Sequence, residues 1–338
     1  MKKSVFLGTL ALAGLASGLA FAGTLDDVKA RGELICGVNT GLVGFGAPDA
    51  NGNYQGFDVD LCKAVAAVVL SDPSKVKYVP TTGETRFTAL ASGEVDLLVR
   101  NSTWTYSRDN DLKLDFVAVN YYDGQGFMVK KDLGVASAKE LDGATICIQT
   151  GTTTELNLAD YFKANNMSYN PVSVVDDAEA QRQYMTGACD AFTTDASGLA
   201  AARAAMGDPE NHIILPEIIS KEPLGPVVRH GDNNWADVVR WTFFALVTAE
   251  EKGVTSTNVA EVASSSQDPE VKRLLGVEGD LGAMLGLDAD WAIRAISAVG
   301  NYGEIFARHI GESTPIGLAR GLNAQWTQGG LIYSPPFR

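Results

Sequence analysis

The stretch VDLLVRNSTWTYSR, residues 95–108, has the most informative pattern in this chain. It opens with an apolar run at 95–99 that is typical of a buried strand, and the run ends in amides and hydroxyls. Arg108 follows within one short loop. A guanidinium matches a carboxylate in a bidentate geometry, and hydroxyls beside it can donate to the same oxygens. We therefore expect Arg108, with Asn101 and Thr103, to bind a small carboxylate; alternatively, Arg108 is a surface ion-pair residue.

Strand and helix patterns alternate on both sides of this stretch. The first half predicts strands at 33–38, 75–79 and 95–99 and helices at 57–69 and 86–92. After a connector at 121–129, the second half predicts strands at 145–149, 172–175 and 189–194 and helices at 151–162 and 178–185. This alternation predicts α/β layers with a mostly parallel sheet.

A second connector, between Pro223 and Pro226, precedes a largely helical C-terminal region. That region predicts helices at 235–251, 269–275, 290–299 and 302–309, followed by an irregular tail from residue 329. Two connectors between two α/β halves predict two lobes, a hinge and a ligand site in the cleft. We expect residues 23–127 and 224–338 to form the first lobe with its helical extension, and residues 128–223 to form the second.

The N-terminus has the organisation of a secretory signal peptide, residues 1–22. Lys2 and Lys3 precede an apolar stretch at 5–19, which ends at an A-x-A site at 20–22. The apolar stretch is short and interrupted by glycines, which disfavours a membrane anchor. We therefore expect export and a mature chain that begins at Gly23.

The composition excludes some partners and favours disulfides. A net charge of -14 argues against nucleic acid and anionic membrane surfaces as partners. The four cysteines permit three pairings; we expect Cys36–Cys62 and Cys147–Cys189, because each bond then stays within one half of the chain. A metal site is disfavoured because no C-x-x-C motif occurs and the three histidines are scattered.

Two further candidate sites lie in the second half. In GTTTE, residues 151–155, the hydroxyls of Thr152 and Thr153 with the N-H groups of a helix N-terminus can bind an anion; alternatively, Thr152 and Glu155 form a capping box. Asp195 ends a predicted strand, where open α/β sheets place ligands, and could accept from an ammonium group; alternatively, it caps the next helix.

Sequence signals for catalysis are weak. The chain has neither a G-x-S-x-G nor an H-E-x-x-H motif. Its paired carboxylates at 58/60, 176/177 and 250/251 are typical of helix termini or solvated faces. We expect no enzymatic activity, no cofactor and no metal; an enzyme for a small carboxylate, such as a dehydratase or lyase, remains the alternative, with Asp195 as its acid or base.

The chain resembles the family 3 solute-binding proteins, the periplasmic amino-acid-binding subunits of ABC importers. The resemblance rests on GFDVDL at 56–61, on Arg108, on GTTTE and on Asp195, in that order. Its C-terminal third resembles the larger general L-amino-acid-binding members of the Aap/Bzt type. The motifs that carry this are LGL at 285–287, VGNYGE at 299–304, RGLN at 320–323 and GGLIYSPPFR at 329–338.

The resemblance implies a type II periplasmic-binding fold with two hinge strands, and a monomer that hands an L-amino acid to an inner-membrane permease. It implies that Arg108 clamps the α-carboxylate with Thr103 and Thr153. It also implies that Asp195 takes the α-ammonium, with Asn101 nearby.

Three departures bear on the ligand's side chain. Asn39 stands where members selective for basic amino acids have an acidic residue, residues 82–86 offer no aromatic ring, and Arg100 stands where a small residue is common. We hypothesise broad specificity or a preference for polar or acidic side chains, with Arg86 or Arg100 as the distal contact.

Overall fold

The computed structural model describes residues 23–338, so the predicted signal peptide lies outside it. Within these residues the strands are β1 (Leu34–Asn39), β2 (Ala47–Pro48), β3 (Tyr54–Gln55), β4 (Val76–Thr81), β5 (Leu97–Leu98), β6 (Leu114–Phe116), β7 (Tyr121–Asp123), β8 (Gln125–Lys130), β9 (Thr145–Gln149), β10 (Asn170–Val174), β11 (Ala191–Asp195), β12 (His212–Ile214), β13 (Glu222–Leu224) and β14 (Val227–Arg229). The α-helices are α1 (Thr24–Arg31), α2 (Phe57–Leu70), α3 (Arg86–Ala91), α4 (Tyr106–Asn110), α5 (Thr153–Ala164), α6 (Asp177–Met185), α7 (Ala196–Ala205), α8 (Asn233–Glu251), α9 (Val259–Ser265), α10 (Pro269–Leu274), α11 (Leu281–Met284), α12 (Trp291–Val299) and α13 (Tyr302–His309).

Two five-stranded sheets form the cores of two lobes. The first has the order β4-β1-β5-β14-β6, and the second has the order β10-β9-β11-β8-β12. In each sheet the first three strands are parallel and the other two pairings are antiparallel. The expectation of mostly parallel sheets therefore holds only for the three consecutive strands of each half. The antiparallel strands are the ones that come directly before or after, in sequence, the segments by which the chain crosses between the lobes.

The two crossings pair with each other. Strand β7 leads from the first lobe directly into β8 of the second, and β13 returns the chain to β14 of the first. β7 and β13 form a separate antiparallel pair, in which Tyr121 faces Leu224 and Asp123 faces Glu222. These are the two hinge strands of a type II periplasmic-binding fold.

Most predicted elements start and end within a few residues of the observed ones, and β5 is the most shortened. It comprises Leu97 and Leu98 alone, whereas the apolar run predicted a strand over 95–99. The chain turns away after it because Asn101 adopts a left-handed backbone with φ 31°. This turn carries the next polar residues to the edge of the sheet. Helices α1, α4, α9 and α11 were not predicted, and α7 was considered only in the alternative in which Asp195 caps a helix.

The disulfide pairing follows the prediction. Cys36 on β1 bonds to Cys62 on α2, with Cα atoms 6.2 Å apart, and Cys147 on β9 bonds to Cys189, with Cα atoms 5.6 Å apart. Each bond therefore ties a parallel strand to a neighbouring segment of its own lobe.

The C-terminal helices pack on the first lobe. Trp291, Tyr302 and Phe306 belong to its main hydrophobic core, and the rings of Tyr302 and Phe306 contact Phe57 edge to face. The Tyr302 hydroxyl also donates to the carbonyl of Asn120 at 2.9 Å. No helix within residues 23–338 is long and apolar enough to cross a membrane.

Candidate functional site

Arg108 is buried at the edge of the first lobe. Helix α4 begins after Thr105, whose hydroxyl accepts from the Arg108 backbone N-H, and the Arg108 Nη1 donates to the Thr103 carbonyl at 2.9 Å. Only 7% of Arg108 is exposed, and no carboxylate of the described residues pairs with it within 4.0 Å. The surface ion-pair alternative is therefore wrong. Burial lowers the pKa of Arg108 to about 10, so the side chain stays charged at neutral pH.

Two more buried arginines lie close to it. Arg86 is 3% exposed and Arg100 is 1% exposed. Arg86 makes only long contacts, at 3.4 Å, to the Asn101 carbonyl and the Ser102 hydroxyl. Within residues 23–338, the Nε of both arginines and the Nη1 of Arg100 have no hydrogen-bond partner. Burial and the charges of the other two arginines hold the pKa of Arg86 well below its ordinary value. Buried donors of this kind are costly unless a partner binds them.

Phe87 makes cation–π contacts with two of these arginines. Its ring centroid lies 4.8 Å from the guanidinium carbon of Arg86 and 4.8 Å from that of Arg108. Cation–π contacts of this type hold a guanidinium without using its donors. The sequence did not indicate this ring, because residues 82–86 contain no aromatic and Phe87 lies one position beyond them.

Asp195 ends β11 in the second lobe. It occupies the N-cap position of α7, but its side chain makes no capping hydrogen bond, so the capping alternative is wrong. The carboxylate is 6% exposed. Burial, with the charges of Asp123, Glu222 and Asp177, raises the pKa of Asp195 well above its ordinary value. A cationic group beside Asp195 would reverse this shift.

Asp177, which the sequence indicated as a helix terminus or solvated residue, faces the interior. Its neighbour Asp176 caps α6 by accepting from the Glu179 N-H at 2.8 Å, whereas one carboxylate oxygen of Asp177 is buried without a partner within the described chain. Burial raises the pKa of Asp177, against the attraction of Arg100 and Arg86. The sequence alone could not show which of Asp176 and Asp177 points inward, because this depends on the direction of the first turn of α6.

Glu222 connects the two lobes through hydroxyls. The Thr103 hydroxyl, in the first lobe, donates to one Glu222 oxygen at 2.5 Å, and the Thr153 hydroxyl, in the second lobe, donates to the same oxygen at 3.0 Å. Asn157 and Ser220 donate to the other oxygen at 2.7 and 2.6 Å. Sequence analysis missed Glu222, which lies on a hinge strand with no motif around it. Its carboxylate is 1% exposed and fully hydrogen-bonded.

The remaining predicted residues have structural roles at the cleft. Thr152 caps α5 by accepting from the Glu155 N-H at 3.4 Å, which is one half of the expected capping box; within residues 23–338 the Glu155 side chain does not bond back to the Thr152 N-H. The Asn39 amide donates to the Asn101 side-chain oxygen at 3.1 Å, and its own oxygen accepts from two backbone N-H groups of the loop after β1. Asn39 and Asn101 are thus joined beside Asp177.

Two spaces lie along the boundary between the lobes. The inner cavity, about 50 Å³, is lined chiefly by Leu42, Asn101, Asp177, Thr194, Gly198 and Ala201. The outer groove, about 560 Å³, adjoins it, and Val43 and Ala205 line both. The lobes also meet directly, because the Thr150 hydroxyl donates to Glu84 at 2.8 Å. The inner cavity is therefore bounded by residues of both lobes and continues into the outer groove.

The chemistry of the site is that of a receptor for a small charged molecule. Three buried cations in one lobe face buried carboxylates in the other, with hydroxyls between them. A zwitterion supplies the complementary charges, and a second carboxylate or an amide would satisfy the remaining arginine donors. Residues 23–338 hold no group of three or more His, Cys, Asp or Glu side chains arranged to bind a metal.

Comparison with known proteins gives consistent matches. Residues 34–275 match the family described as bacterial extracellular solute-binding proteins, family 3. Over the full length of both chains, the sequence is 73% identical to the glutamate/glutamine/aspartate/asparagine-binding protein BztA of Rhodobacter capsulatus. It is 58% identical to the general L-amino acid-binding periplasmic protein AapJ of Rhizobium johnstonii, again over all of both chains.

Solved structures show the same fold. A periplasmic binding protein from Brucella ovis with glutathione bound has a TM-score of 0.92 and 58% identity, over 94% of this chain and 100% of that one. A cysteine-binding protein from Campylobacter jejuni has a TM-score of 0.61 and 25% identity, over 74% of this chain and 98% of that one. The smaller coverage in the second case leaves about a quarter of this chain unmatched.

Proposed function

The chain belongs to the bacterial extracellular solute-binding proteins of family 3, and we propose that it is the L-amino-acid-binding subunit of an ABC importer. It is a binding protein and not an enzyme, as its named relatives are. The observation that carries the proposal is a set of charges with no ion-pair partner among residues 23–338: the buried Arg86, Arg100 and Arg108 on one lobe, and the buried Asp195 with the partly buried Asp177 on the other.

The α-groups of the ligand would bridge the lobes. Arg108 binds the α-carboxylate, and the Thr103 and Thr153 hydroxyls turn their protons from Glu222 to the ligand when it binds. Asp195 binds the α-ammonium, and Asn101 lines the adjoining inner cavity. Each lobe then holds one end of the zwitterion, so the ligand favours the closed state by its extra contacts there.

The side chain would extend toward Arg86, Arg100 and Asp177, of which Asp177 lines the inner cavity. The unpartnered N-H groups of the two arginines suit a carboxylate or the oxygen of an amide. Asp177 suits an amide, since its carboxylate can accept from the NH₂ group. This arrangement supports binding of glutamate, aspartate, glutamine and asparagine, the four amino acids in the name of the Rhodobacter relative.

The relatives support a periplasmic setting for this function. We place the mature chain in the periplasm, after cleavage before Gly23, as a monomer that delivers its ligand to an inner-membrane permease. In the same proposal, residues 23–127 and 224–338 move as the first lobe, and residues 128–223 move as the second. The hinge is then the β7–β13 pair.

Calorimetry with single amino acids tests the proposal. The protein, purified by unfolding and refolding to remove carried ligand, is titrated with L-glutamate, L-glutamine, L-leucine and L-arginine. We expect L-glutamate and L-glutamine to bind at least tenfold more tightly than the other two. Tightest binding of L-arginine would overturn the proposed specificity, and failure of all four to bind would overturn the function. Mass spectrometry of the ligand that co-purifies gives an independent identification.

Glutathione is a second candidate ligand, since the Brucella relative binds it. Glutathione begins with a glutamate whose α-carboxylate and α-ammonium are free. The observation in its favour is that the inner cavity adjoins the larger outer groove. Titration with reduced glutathione beside L-glutamate tests it, and binding of L-glutamate alone would exclude it.

A further inference from the structure

The outer groove is formed by both lobes and by the C-terminal extension. The first lobe contributes the loop after β1, around Val43 and Pro48, and the second contributes Ala204 and Ala205 at the end of α7. The remaining wall is the segment from Arg308 to Ile316. This segment lies outside residues 34–275, which match the family, so the extension supplies a wall beyond the family-matched region.

Helix α7 leads from the buried end of the cleft to this groove. Gly198, Ala201, Ala202 and Ala205 lie on one face of the helix, at the spacing of successive turns, and all four line the inner cavity. Their small side chains leave space along the helix. The ten residues of α7 span roughly 15 Å from the Asp195 end to the Ala205 end. One extended residue covers only about 3.5 Å, so a free amino acid held at Asp195 ends well before Ala205.

The chemistry at the far end of the groove favours a carboxylate. Arg308 and His309 both bind Asp60, which also pairs with Lys63 at 3.1 Å. In this cluster two permanent cations, Arg308 and Lys63, share the single carboxylate of Asp60. The Arg308 side chain is 45% exposed, so part of its guanidinium can reach a ligand in the groove. Thr314 lines the same wall.

We propose that the outer groove is a second subsite, which binds the terminal residues of γ-linked glutamyl peptides. The inference rests on the proposed function, in which Arg108 and Asp195 hold the free α-groups of the ligand. With both α-groups bound, a longer ligand can extend only from its side chain, through an amide at the γ-carboxyl. The peptide then follows α7 outward and places its terminal carboxylate beside Arg308. The C-terminal extension thereby becomes part of the binding site.

Two isomeric tripeptides test this subsite by calorimetry. In γ-L-glutamylglycylglycine the glutamate α-carboxylate is free, whereas in α-L-glutamylglycylglycine it is consumed by the peptide bond. We expect the parent protein to bind the γ-isomer at least tenfold more tightly than the α-isomer. Ser313→Trp, which fills the groove from an exposed turn, should weaken the γ-isomer at least tenfold and change L-glutamate less than twofold.

Matched variants separate filling of the groove from loss of charge. Ser313→Ala should behave as the parent protein, and Arg308→Gln should weaken the γ-isomer about fivefold without affecting L-glutamate. A parent that binds L-glutamate but not the γ-isomer would overturn the subsite while leaving the proposed function intact. Equal effects of Ser313→Trp on both ligands would also overturn it. Loss of L-glutamate binding by the parent itself would instead overturn the proposed function, and the subsite with it.

Discussion

The hydroxyl oxygens of Thr103 and Thr153 lie 3.4 Å apart, although the two residues belong to different lobes. Both hydroxyls donate to the same oxygen of Glu222, which lies on a hinge strand. One buried carboxylate thus holds two proposed ligand-binding residues in the arrangement that closure requires. A movement of the hinge strand β13 would therefore change the positions of Thr103 and Thr153 relative to each other through the Glu222 carboxylate.

Glu222→Gln should weaken L-glutamate binding about tenfold. Hydrogen bonds to a charged acceptor are worth roughly 1.5–3 kcal/mol, against about 1 kcal/mol for neutral ones, and the new amide NH₂ meets donors instead of acceptors. Calorimetry gives the affinity, and small-angle scattering shows whether the ligand-bound protein still closes. Glu217→Gln is the matched control, because Glu217 accepts from Ser137 and Ala138 within the second lobe. Unchanged affinity in Glu222→Gln would show that the carboxylate does not set closure.

Asp195→Asn should change stability and affinity in opposite directions. The ligand-free protein should gain about 1–2 kcal/mol in its free energy of unfolding at pH 8, because a buried carboxylate repelled by Asp123 and Glu222 becomes neutral. L-glutamate should bind at least tenfold more weakly, since the α-ammonium loses its counter-charge. Urea unfolding and calorimetry measure the two effects. A variant that is less stable and binds normally would contradict the role of Asp195.

Asp177→Ala should shift the preference between glutamate and glutamine about tenfold toward glutamate. The variant loses the acceptor for the amide NH₂ and removes a negative charge near the side chain of an acidic ligand. Competition calorimetry with the two amino acids measures the ratio. Asp176→Ala is the control, because it removes only the cap of α6. An unchanged ratio in Asp177→Ala would exclude Asp177 as a specificity residue.

The ligand-free protein should become less stable as the pH rises from 4 to 6. Burial raises the pKa of Asp58 to about 6, from an ordinary value of 3.8, and the pKa of Asp123 is also raised to about 6. In this range the folded state keeps protons that the unfolded state has released, so each group lowers the free energy of unfolding by up to about 1.4 kcal/mol per pH unit. Urea unfolding at successive pH values measures the slope.

Asp58→Asn isolates one of these two groups. Asparagine can still accept from the Asn101 N-H, which lies 3.0 Å from the Asp58 carboxylate, so the fold should persist. The slope between pH 4 and 6 should become shallower by up to about 1.4 kcal/mol per pH unit. A variant with the slope of the parent protein would show that Asp58 does not keep its proton in the folded state.

The sequence predicted a helix or strand correctly wherever the local sequence pattern was sufficient to define that element. The helix at 302–309 and the strand at 145–149 were predicted with their observed bounds, because caps and apolar periodicity agree there. The two disulfides were predicted from the even number of cysteines and from the preference for bonds within one half of the chain. The shortness of β5 could not be foreseen, because the left-handed turn at Asn101 depends on the tertiary structure around it.

The sequence indicated the charged residues of the candidate site, but it did not indicate the contacts that join them to other segments. Arg108 and Asp195 were found because each follows a strand that ends at the cleft. Glu222 and Phe87 were missed, since their roles depend on contacts between segments far apart in sequence or on a side-chain direction. Composition and periodicity do not encode such contacts.

Titration of L-glutamate into Arg108→Ala tests most directly whether an amino acid is held by its α-carboxylate at Arg108. Removing one partner of a buried charge pair costs roughly 2–5 kcal/mol, so we expect the dissociation constant to rise at least 30-fold. Arg182→Ala, in which a surface arginine loses its contact to Glu179, should bind L-glutamate as the parent protein does. If Arg108→Ala binds L-glutamate as tightly as the parent protein, Arg108 does not hold the ligand and the proposed site is wrong.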